Sequence, residues 1–191
     1  MSKVNVRFRF LSPWHMGSGF GEGANLDAVP VKSAAGLPYI PGRSVKGLLR
    51  EAVQLAEECG QLADGTTLRL FGSRDPKKSR YESRPGSLRV TSAVLGTDLE
   101  AWAKKKPVPV SELYTVLSAT KIGDRGLAED ETLRKIEAAW PLTLTAEVDG
   151  ANDETDWIES LRLAAPLIRQ AGMRRHRGLG RVEVAIEEVQ G

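Results

Sequence analysis

The most informative stretch of the chain is Leu37-Pro-Tyr-Ile-Pro-Gly-Arg-Ser-Val-Lys-Gly-Leu-Leu-Arg50. Its Pro-Gly turn runs directly into apolar residues at helical spacing, which are Val45, Leu48, Leu49, Ala52, Val53 and Ala56. This spacing predicts an amphipathic helix over residues 44–58, with Ser44 as the N-cap and Gly60 just beyond its end. We expect the apolar stripe of this helix to be buried.

Three cations stand in the first turns of the predicted helix: Arg43, Lys46 and Arg50. Lys46 and Arg50 are four residues apart and therefore share a helix face. A helix N-terminus already presents unpaired N–H groups and a positive dipole end, so cations there are favoured mainly when an anion lies among them. The pattern therefore indicates either a phosphate-binding site or the solvated basic face of a surface helix.

The bulk composition fits one domain of 191 residues with a sizeable core and a net charge of +2. Charged residues interrupt every long apolar stretch, and the N-terminus shows no signal pattern, so we expect a cytoplasmic protein. Cys59 is the only cysteine, which excludes an intrachain disulfide and a cysteine-based zinc cluster.

Charge is segregated along the chain. Residues 1–50 carry seven Lys and Arg against two acids, residues 69–89 carry seven against two, and residues 162–181 carry six with no acid. Acidic residues concentrate in residues 147–159, without a base between them. Separate basic and acidic surfaces are typical of a nucleic-acid binder, or of a subunit that docks head to tail with its own kind. Solvated faces give the same runs, so both readings stay open.

Alternating apolar residues predict strands over residues 4–10, 29–32, 88–94, 142–148 and 182–186. A second helix is predicted from Asp153 or Thr155 to about residue 165, before Pro166. Residues 98–106 favour a short helix, whereas residues 112–120 are compatible with helix or strand. The resulting order is close to the split β-α-β order of ferredoxin-like folds, which predicts an α+β protein.

Glycine-rich and basic loops separate these elements. Between residues 12 and 23, glycine occupies every second position from Gly17 onward, which permits close backbone approach to a ligand. Residues 174–181 combine arginines with two glycines just before the last strand. The polar run 73–86 carries further basic residues and is predicted to be a mobile loop.

Aromatic residues give a weaker signal. Trp14 and Phe20 flank the first glycine-rich loop and could stack on nucleobases. Phe8 and Phe10 share a strand face with Val4 and Val6, and we therefore expect them in the core rather than against bases. The apolar surroundings of the remaining tryptophans predict core positions for Trp102, Trp140 and Trp157.

Five short motifs follow one another along the chain: Trp14-His-Met-Gly-Ser-Gly19, the stretch from Gly36 to Arg50, Leu70-Phe-Gly72, Thr120-Lys-Ile-Gly-Asp-Arg125 and Arg177-Gly-Leu-Gly-Arg-Val182. In this order they resemble the repeat-associated mysterious proteins (RAMPs) of CRISPR systems, and among them the backbone subunit of type III interference complexes. The resemblance implies one RAMP domain over residues 1–191, with a modified RNA-recognition-motif core and a helical insertion. It also implies a lid near residues 17–37 and a thumb hairpin near residues 120–133.

The same resemblance implies the partners of the chain. Such subunits bind a CRISPR guide RNA, meet a target RNA, and stack head to tail with copies of themselves or related subunits beside other effector-complex subunits. By position, the implied RNA-binding residues are His15, Arg43, Ser44, Lys46, Arg50, Lys121, Arg125, Arg174, Arg175, Arg177, Gly178 and Gly180.

Asp27 occupies the place at which these subunits carry a catalytic aspartate, although its spacing to Pro38 is about one residue shorter than the family pattern. The resemblance therefore implies an endoribonuclease that cleaves target RNA with a divalent metal, Mg²⁺, held at Asp27. A carboxylate on a glycine-rich loop among cations can bind Mg²⁺ or assist attack by a ribose 2′-OH. Alternatively, Asp27 caps Ala28 or Val29, and the subunit is purely architectural.

Histidine offers a competing mechanism. His15 and His176 are the only histidines, and histidine is the usual general acid and base of metal-independent ribonucleases. A stand-alone guide-processing ribonuclease that uses His15 is therefore a third hypothesis. His15 is equally compatible with an RNA contact or with a hydrogen-bonded structural role.

Overall fold

The computed structural model describes residues 2–23, 25–73, 83–96, 101, 110–124, 126–150 and 156–188. In chain order, its regular elements are β1 (Lys3–Phe10), α1 (Gly42–Glu58), α2 (Thr66–Phe71), β2 (Leu88–Val90), β3 (Tyr114–Ala119), β4 (Arg134–Ala139), β5 (Thr143–Gly150), α3 (Asp156–Ala164) and β6 (Val182–Glu188). Among the described residues, no helix is long and apolar enough to cross a membrane.

The central sheet is antiparallel and has the strand order β2-β5-β1-β6. The last strand, β6, therefore lies on one side of β1, and β5 followed by β2 lies on the other side. This is the strand order of a ferredoxin-like βαββαβ core. The predicted α+β, ferredoxin-like fold class is confirmed. β3 and β4 form a separate antiparallel hairpin.

One face of the central sheet is buried under α1 and α3. Val4, Val6, Phe8 and Phe10 of β1 all point into this core, as their alternation predicts. The predicted core positions of Phe8 and Phe10 are confirmed by this burial. Each fully buried large apolar side chain contributes about 1.5–3 kcal/mol of transfer free energy.

The other face of the sheet is covered by cross-strand ion pairs. Lys3 Nζ lies 2.7 Å from Glu147 Oε1, and Arg7 Nε lies 2.8 Å from Glu187 Oε1. Arg9 pairs with Glu183 in the same way at 3.1 Å. Solvent-exposed pairs such as these add little stability each, but they give the face a charged surface without stacking aromatics.

Some local predictions were wrong. α1 begins at Gly42 with Pro41 as N-cap, and the N–H of Ser44 donates to the Pro41 carbonyl at 2.8 Å, so Ser44 lies in the first turn. The segment 29–32 makes only isolated bridges. The ambiguous segment 112–120 is mostly strand β3. Residues 97–100, 102–109 and 151–155, which contain most of a predicted helix and the predicted caps Asp153 and Thr155, lie outside the described residues.

The tryptophans correct two further predictions. Trp14 is fully buried, stacks on Phe10 with ring centroids 4.3 Å apart, and donates through Nε1 to the carbonyl of Trp140. It cannot stack on a nucleobase in this position. Trp140 was predicted in the core, yet it is 45 % exposed. Trp157 is buried as predicted, and Trp102 lies outside the described residues.

Candidate nucleic-acid interface

A groove follows the outer side of α1, between this helix and the chain segment that leads to β6. We refer to it as the α1 groove. Its first half is lined by Met16, Gly17, Ser44, Gly47, Leu48, Glu51, Gly172, Met173 and Arg175. It continues over Leu48, Glu51, Ala52, Leu55, Leu167, Ile168, Arg169, Gln170 and Arg175. The structure therefore brings the helix start and the basic glycine loop together.

Close packing between two loops builds the far wall of the α1 groove. The N–H of Met173 donates to the carbonyl of His15 at 2.8 Å, and the N–H of Gly180 donates to the carbonyl of Pro13 at 2.9 Å. Gly180 has a φ of +70°, and an added Cβ would collide with the carbonyl oxygen of Ala171. The packing of the two loops therefore requires glycine at position 180. The predicted contact of Gly180 with RNA stays a prediction.

The loop carries three arginines, of which Arg174 is half-buried and Arg175 lines the groove. Arg174 has a left-handed backbone conformation, with φ 57° and ψ 32°, which is costly for a residue with a side chain. Arg175 and Arg177 are exposed on the short 3₁₀ turn that follows. None of the three forms an ion pair with another described residue, so their charge is available to an anion. Gly178 ends the turn at φ +82°, with open space where a side chain would stand.

The N-terminal half of α1 forms the near wall. Arg43 is exposed and Ser44 is half-buried at the groove. Gly47 lies on the groove side of the helix, and outside the backbone of α1 itself no described atom lies within 4 Å of the position where its Cβ would be. Glycine inside a helix costs about 1 kcal/mol relative to alanine, and no packing within the described chain requires it here. The bare backbone permits a ligand to approach the helix closely.

Lys46 and Arg50 share a helix face as predicted, but both point away from the α1 groove. Lys46 Nζ donates to the carbonyl of Leu88 at 3.3 Å, and Arg50 Nη1 donates to the carbonyl of Gly72 at 2.9 Å. Both side chains are half-buried. Lys46 thus links α1 to the first residue of β2, and Arg50 links α1 to the residue that follows α2. A contact of either side chain with a guide phosphate stays a prediction.

Asp27 is exposed and lies against the outer edge of β4. Its N–H donates to the carbonyl of Lys135 at 2.8 Å, and its Oδ2 accepts from the N–H of Lys135 at 2.7 Å. The carboxylate therefore caps a residue of β4, whereas the sequence suggested Ala28 or Val29. These two bonds fix the orientation of the carboxylate and leave Oδ1 for another ligand.

His15 lies against the same edge of β4 and is only 1 % exposed. Its Nδ1 lies 2.7 Å from the carbonyl oxygen of Glu137. The carbonyls of Lys135 and Glu137, two residues apart on one strand, are separated by about 7 Å. β4 thus positions both candidate acid–base residues. Burial leaves the imidazole no direct access to a substrate in this conformation, so the predicted roles of His15 in RNA contact and in catalysis stay predictions.

The described residues do not form a complete metal site on their own. They contain no group of three or more His, Cys, Asp or Glu side chains that could hold a metal ion. Mg²⁺ commonly takes one or two carboxylates and completes its octahedron with water and substrate phosphates. Asp27 can supply one such oxygen, and RNA would have to supply others.

The tip of the β3–β4 hairpin lies where the thumb was predicted. Lys121 Nζ pairs with Glu129 Oε2 at 2.8 Å, so its charge is already partly compensated. Arg125 lies outside the described residues. Sequence reasoning missed the exposed apolar side chains of Ile122, Leu127 and Leu133 at this tip. The alternation of apolar and polar residues identifies strands with one buried face, and it does not identify apolar residues that are exposed to solvent.

A cluster that the sequence did not reveal fastens the predicted lid to the hairpin. Lys32 Nζ lies 2.7 Å from Glu137 Oε2, without the alignment of a hydrogen bond, and 4.3 Å from the ring centre of Tyr114. Tyr114 donates through its hydroxyl to the carbonyl of Gly36 at 2.6 Å. Burial, and then the nearby Glu137 carboxylate, raise the pKa of Tyr114 above its usual range.

Comparisons with known proteins were consistent with this geometry. A family model described as the RAMP superfamily matches residues 7–183. The fold is similar to a chain in a cryo-EM structure of the type III-B Cmr-beta complex bound to cognate target RNA, with a TM-score of 0.70, 11 % identity and 97 % of each chain covered. A chain in the apo-state structure of Cmr-beta gives 0.66, 10 % identity and the same coverage. No curated protein sequence gives a significant match.

Proposed function

Because the chain belongs to the RAMP superfamily, we propose that it is a guide-RNA-binding backbone subunit of a type III CRISPR effector complex. The observation that carries this proposal is the α1 groove, where Arg175, which has no ion-pair partner among the described residues, faces the start of the helix. Arg175 and the exposed Arg43 at the helix start would hold successive phosphates. Gly47 would let the RNA backbone lie against the helix.

The fold neighbours support the partners proposed here. They are chains of type III-B Cmr-beta, in one case bound to cognate target RNA. By this likeness the chain would meet both a guide and a target RNA, together with other effector subunits. RNA recognition through phosphates carries no sequence information, which suits a subunit that must hold any guide.

We also propose that copies of the chain, or related subunits, stack head to tail. In the register of the sheet, Asp149 lies opposite Lys3 at one end of β1. Val182, which comes just after the basic loop, lies opposite Phe10 at the other end. Eight residues of strand separate acidic and basic ends by about 23 Å. Such a charge arrangement favours a heterologous contact that repeats along a filament.

Within such a complex, Asp27 would be the catalytic residue for target-RNA cleavage. Lys135 holds its carboxylate in one orientation, and the free Oδ1 would contribute a ligand to Mg²⁺ at the scissile phosphate. When bound, the metal would neutralise charge that develops on that phosphate. Because Asp27 lies outside the α1 groove, on the segment predicted to form a lid, guide binding and target cleavage would use separate surfaces.

An architectural subunit without catalysis is the second candidate. The observation in its favour is that both hydrogen bonds of Asp27 to Lys135 already give the residue a structural role. The variant Asp27→Asn separates the two, because its amide oxygen can still accept from the Lys135 N–H while the charge is lost.

The test uses the assembled complex with guide and labelled target RNA. We expect Asp27→Asn to assemble and bind target normally, and to cleave at least 100-fold more slowly, the order of magnitude of one acid–base or electrostatic group. Cleavage at the wild-type rate would refute catalysis by Asp27 and support the architectural role. Cleavage that persists in a chelator would exclude the divalent metal.

A further inference from the structure

The buried imidazole of His15 has one nitrogen with no hydrogen-bond partner among the described residues. Nδ1 is satisfied by Glu137, but Nε2 is buried and unpaired. A buried polar atom without a partner destabilises the fold, so its persistence requires an explanation. The question is which group His15 Nε2 is placed to meet.

The bond to Glu137 decides the hydrogen-bonding character of Nε2. A carbonyl oxygen only accepts, so Nδ1 of His15 must carry the proton. In the neutral ring Nε2 is then an acceptor and needs a donor. A phosphate oxygen cannot satisfy it, because a phosphodiester has no proton to donate.

His15 Nε2 lies beneath the first half of the α1 groove. A Cβ added to Gly17, which lines the groove, would stand 3.6 Å from Nε2 and 2.5 Å from Met173 Sδ. Gly17, which has no side chain, and the Met173 side chain therefore both stand close to this nitrogen on the groove side. Met173 is 52 % exposed, and methionine is unbranched and flexible, so it can move aside without disturbing the core.

We propose that His15 Nε2 accepts a hydrogen bond from a ribose 2′-hydroxyl of RNA bound in the α1 groove, once Met173 has moved. This inference rests on the proposed RNA-binding function and assigns His15 the discrimination of RNA from DNA. The 2′-hydroxyl is the backbone group that distinguishes the two nucleic acids and is able to donate. Base N–H donors change with sequence, whereas a ribose donor is present at every nucleotide.

The arrangement of the groove agrees with this assignment. Arg175, which lines the groove, would hold a phosphate there, and the sugar is directly attached to each phosphate. Gly172 keeps the loop close to His15, because an added Cβ there would stand 2.5 Å from the His15 carbonyl oxygen. The ribose edge of a bound strand would therefore face the position of Gly17, above Nε2.

The test measures the affinity of the full chain for a single-stranded RNA and for the DNA of matching sequence, at one salt concentration. The variant His15→Asn keeps a side-chain N–H to donate to Glu137 but has no counterpart of Nε2. We expect it to lower the preference for RNA over DNA by about threefold to tenfold, the effect of one neutral hydrogen bond. The matched control, Arg175→Gln, should weaken RNA and DNA binding by the same factor.

A second measurement avoids any folding defect of the variant. In the wild-type chain, the ¹⁵N resonance of His15 Nε2 should shift when RNA is added and stay in place when the DNA binds. An unchanged resonance with bound RNA, or an undiminished RNA preference in a folded His15→Asn, would overturn the inference. Equal wild-type affinity for RNA and DNA would also overturn it while RNA binding stands. Binding of neither would overturn the proposed function itself.

Discussion

Replacing Gly47 by alanine should raise the stability of this protein and lower its proposed affinity for RNA, so one added methyl group tests the two properties separately. The position is inside α1, has no positive φ, and has open space around an added Cβ. Gly47→Ala should therefore stabilise the fold by about 1 kcal/mol through helix propensity alone. For a chain of 191 residues this corresponds to a rise in melting temperature of about 2–4 °C.

The same position faces the α1 groove, so a larger side chain should exclude RNA. Gly47→Gln places a neutral, good helix former there, which should leave the melting temperature at or above the wild-type value. We expect the affinity for single-stranded RNA, measured by fluorescence anisotropy, to fall by about 10-fold, which corresponds to about 1.4 kcal/mol. Gly47→Ala should have a smaller effect of the same sign.

The control is Gln54→Ala, an exposed position two turns further along α1 and outside the groove. It should change neither RNA affinity nor stability by more than a few tenths of a kcal/mol. If Gly47→Gln is stable and binds RNA like the wild type, RNA does not approach this face of α1. If Gly47→Ala lowers the melting temperature, the glycine has a packing role that the structure does not reveal.

Three further predictions concern stability and charge. Glu57 accepts from the N–H groups of Gly65 and Thr67 at 2.6 and 2.9 Å. The nearby Thr67 hydroxyl, and then these two bonds, lower the pKa of Glu57; its contribution to stability is therefore present above the unfolded pKa and lost as pH falls through the folded one. Glu57→Gln should lower the free energy of unfolding, measured by urea titration, by about 0.5–1 kcal/mol at pH 7 and have no effect near pH 2; an equal loss at both pH values would contradict this. Gly180→Ala should destabilise the fold by more than about 2 kcal/mol, from the collision with Ala171 and the positive φ, and a near-wild-type thermal melt would show that the loop can relax. Arg175→Gln should reduce the slope of log affinity against log salt by about 0.7, whereas Arg50→Gln should mainly lower the melting temperature, and a reduced slope for Arg50→Gln would place that side chain on RNA.

The sequence predicted those elements whose pattern is set by one buried face. The alternation in β1 and the apolar stripe of α1 are local, so their burial followed directly from the spacing. The segment 112–120 could not be assigned, because β3 is a strand only through its pairing with β4, which lies some 20 residues further on. Strand formation depends on such partners more than on intrinsic preference.

The sequence indicated which segments contribute to the candidate site, but not the directions in which their side chains point. The resemblance implied RNA-binding residues in both the basic helix start and the basic glycine loop, and the α1 groove joins these two segments. The directions of Lys46 and Arg50 were not predictable, because the carbonyls that accept from them belong to Leu88 and Gly72. The positions of His15 and Asp27 were equally hidden, since both are fixed by residues of β4 more than 100 positions away.

The attachment of Asp27 and His15 to one strand constrains how this region can evolve and move. Neighbouring positions along a strand face opposite sides, so a shift of β4 by one residue would exchange its buried and exposed side chains and displace both anchoring points at once. An insertion or deletion in the hairpin tip leaves the register of β4 intact, whereas one within residues 134–139 does not. The tip is therefore free to vary in length, and β4 is the part whose length must be kept.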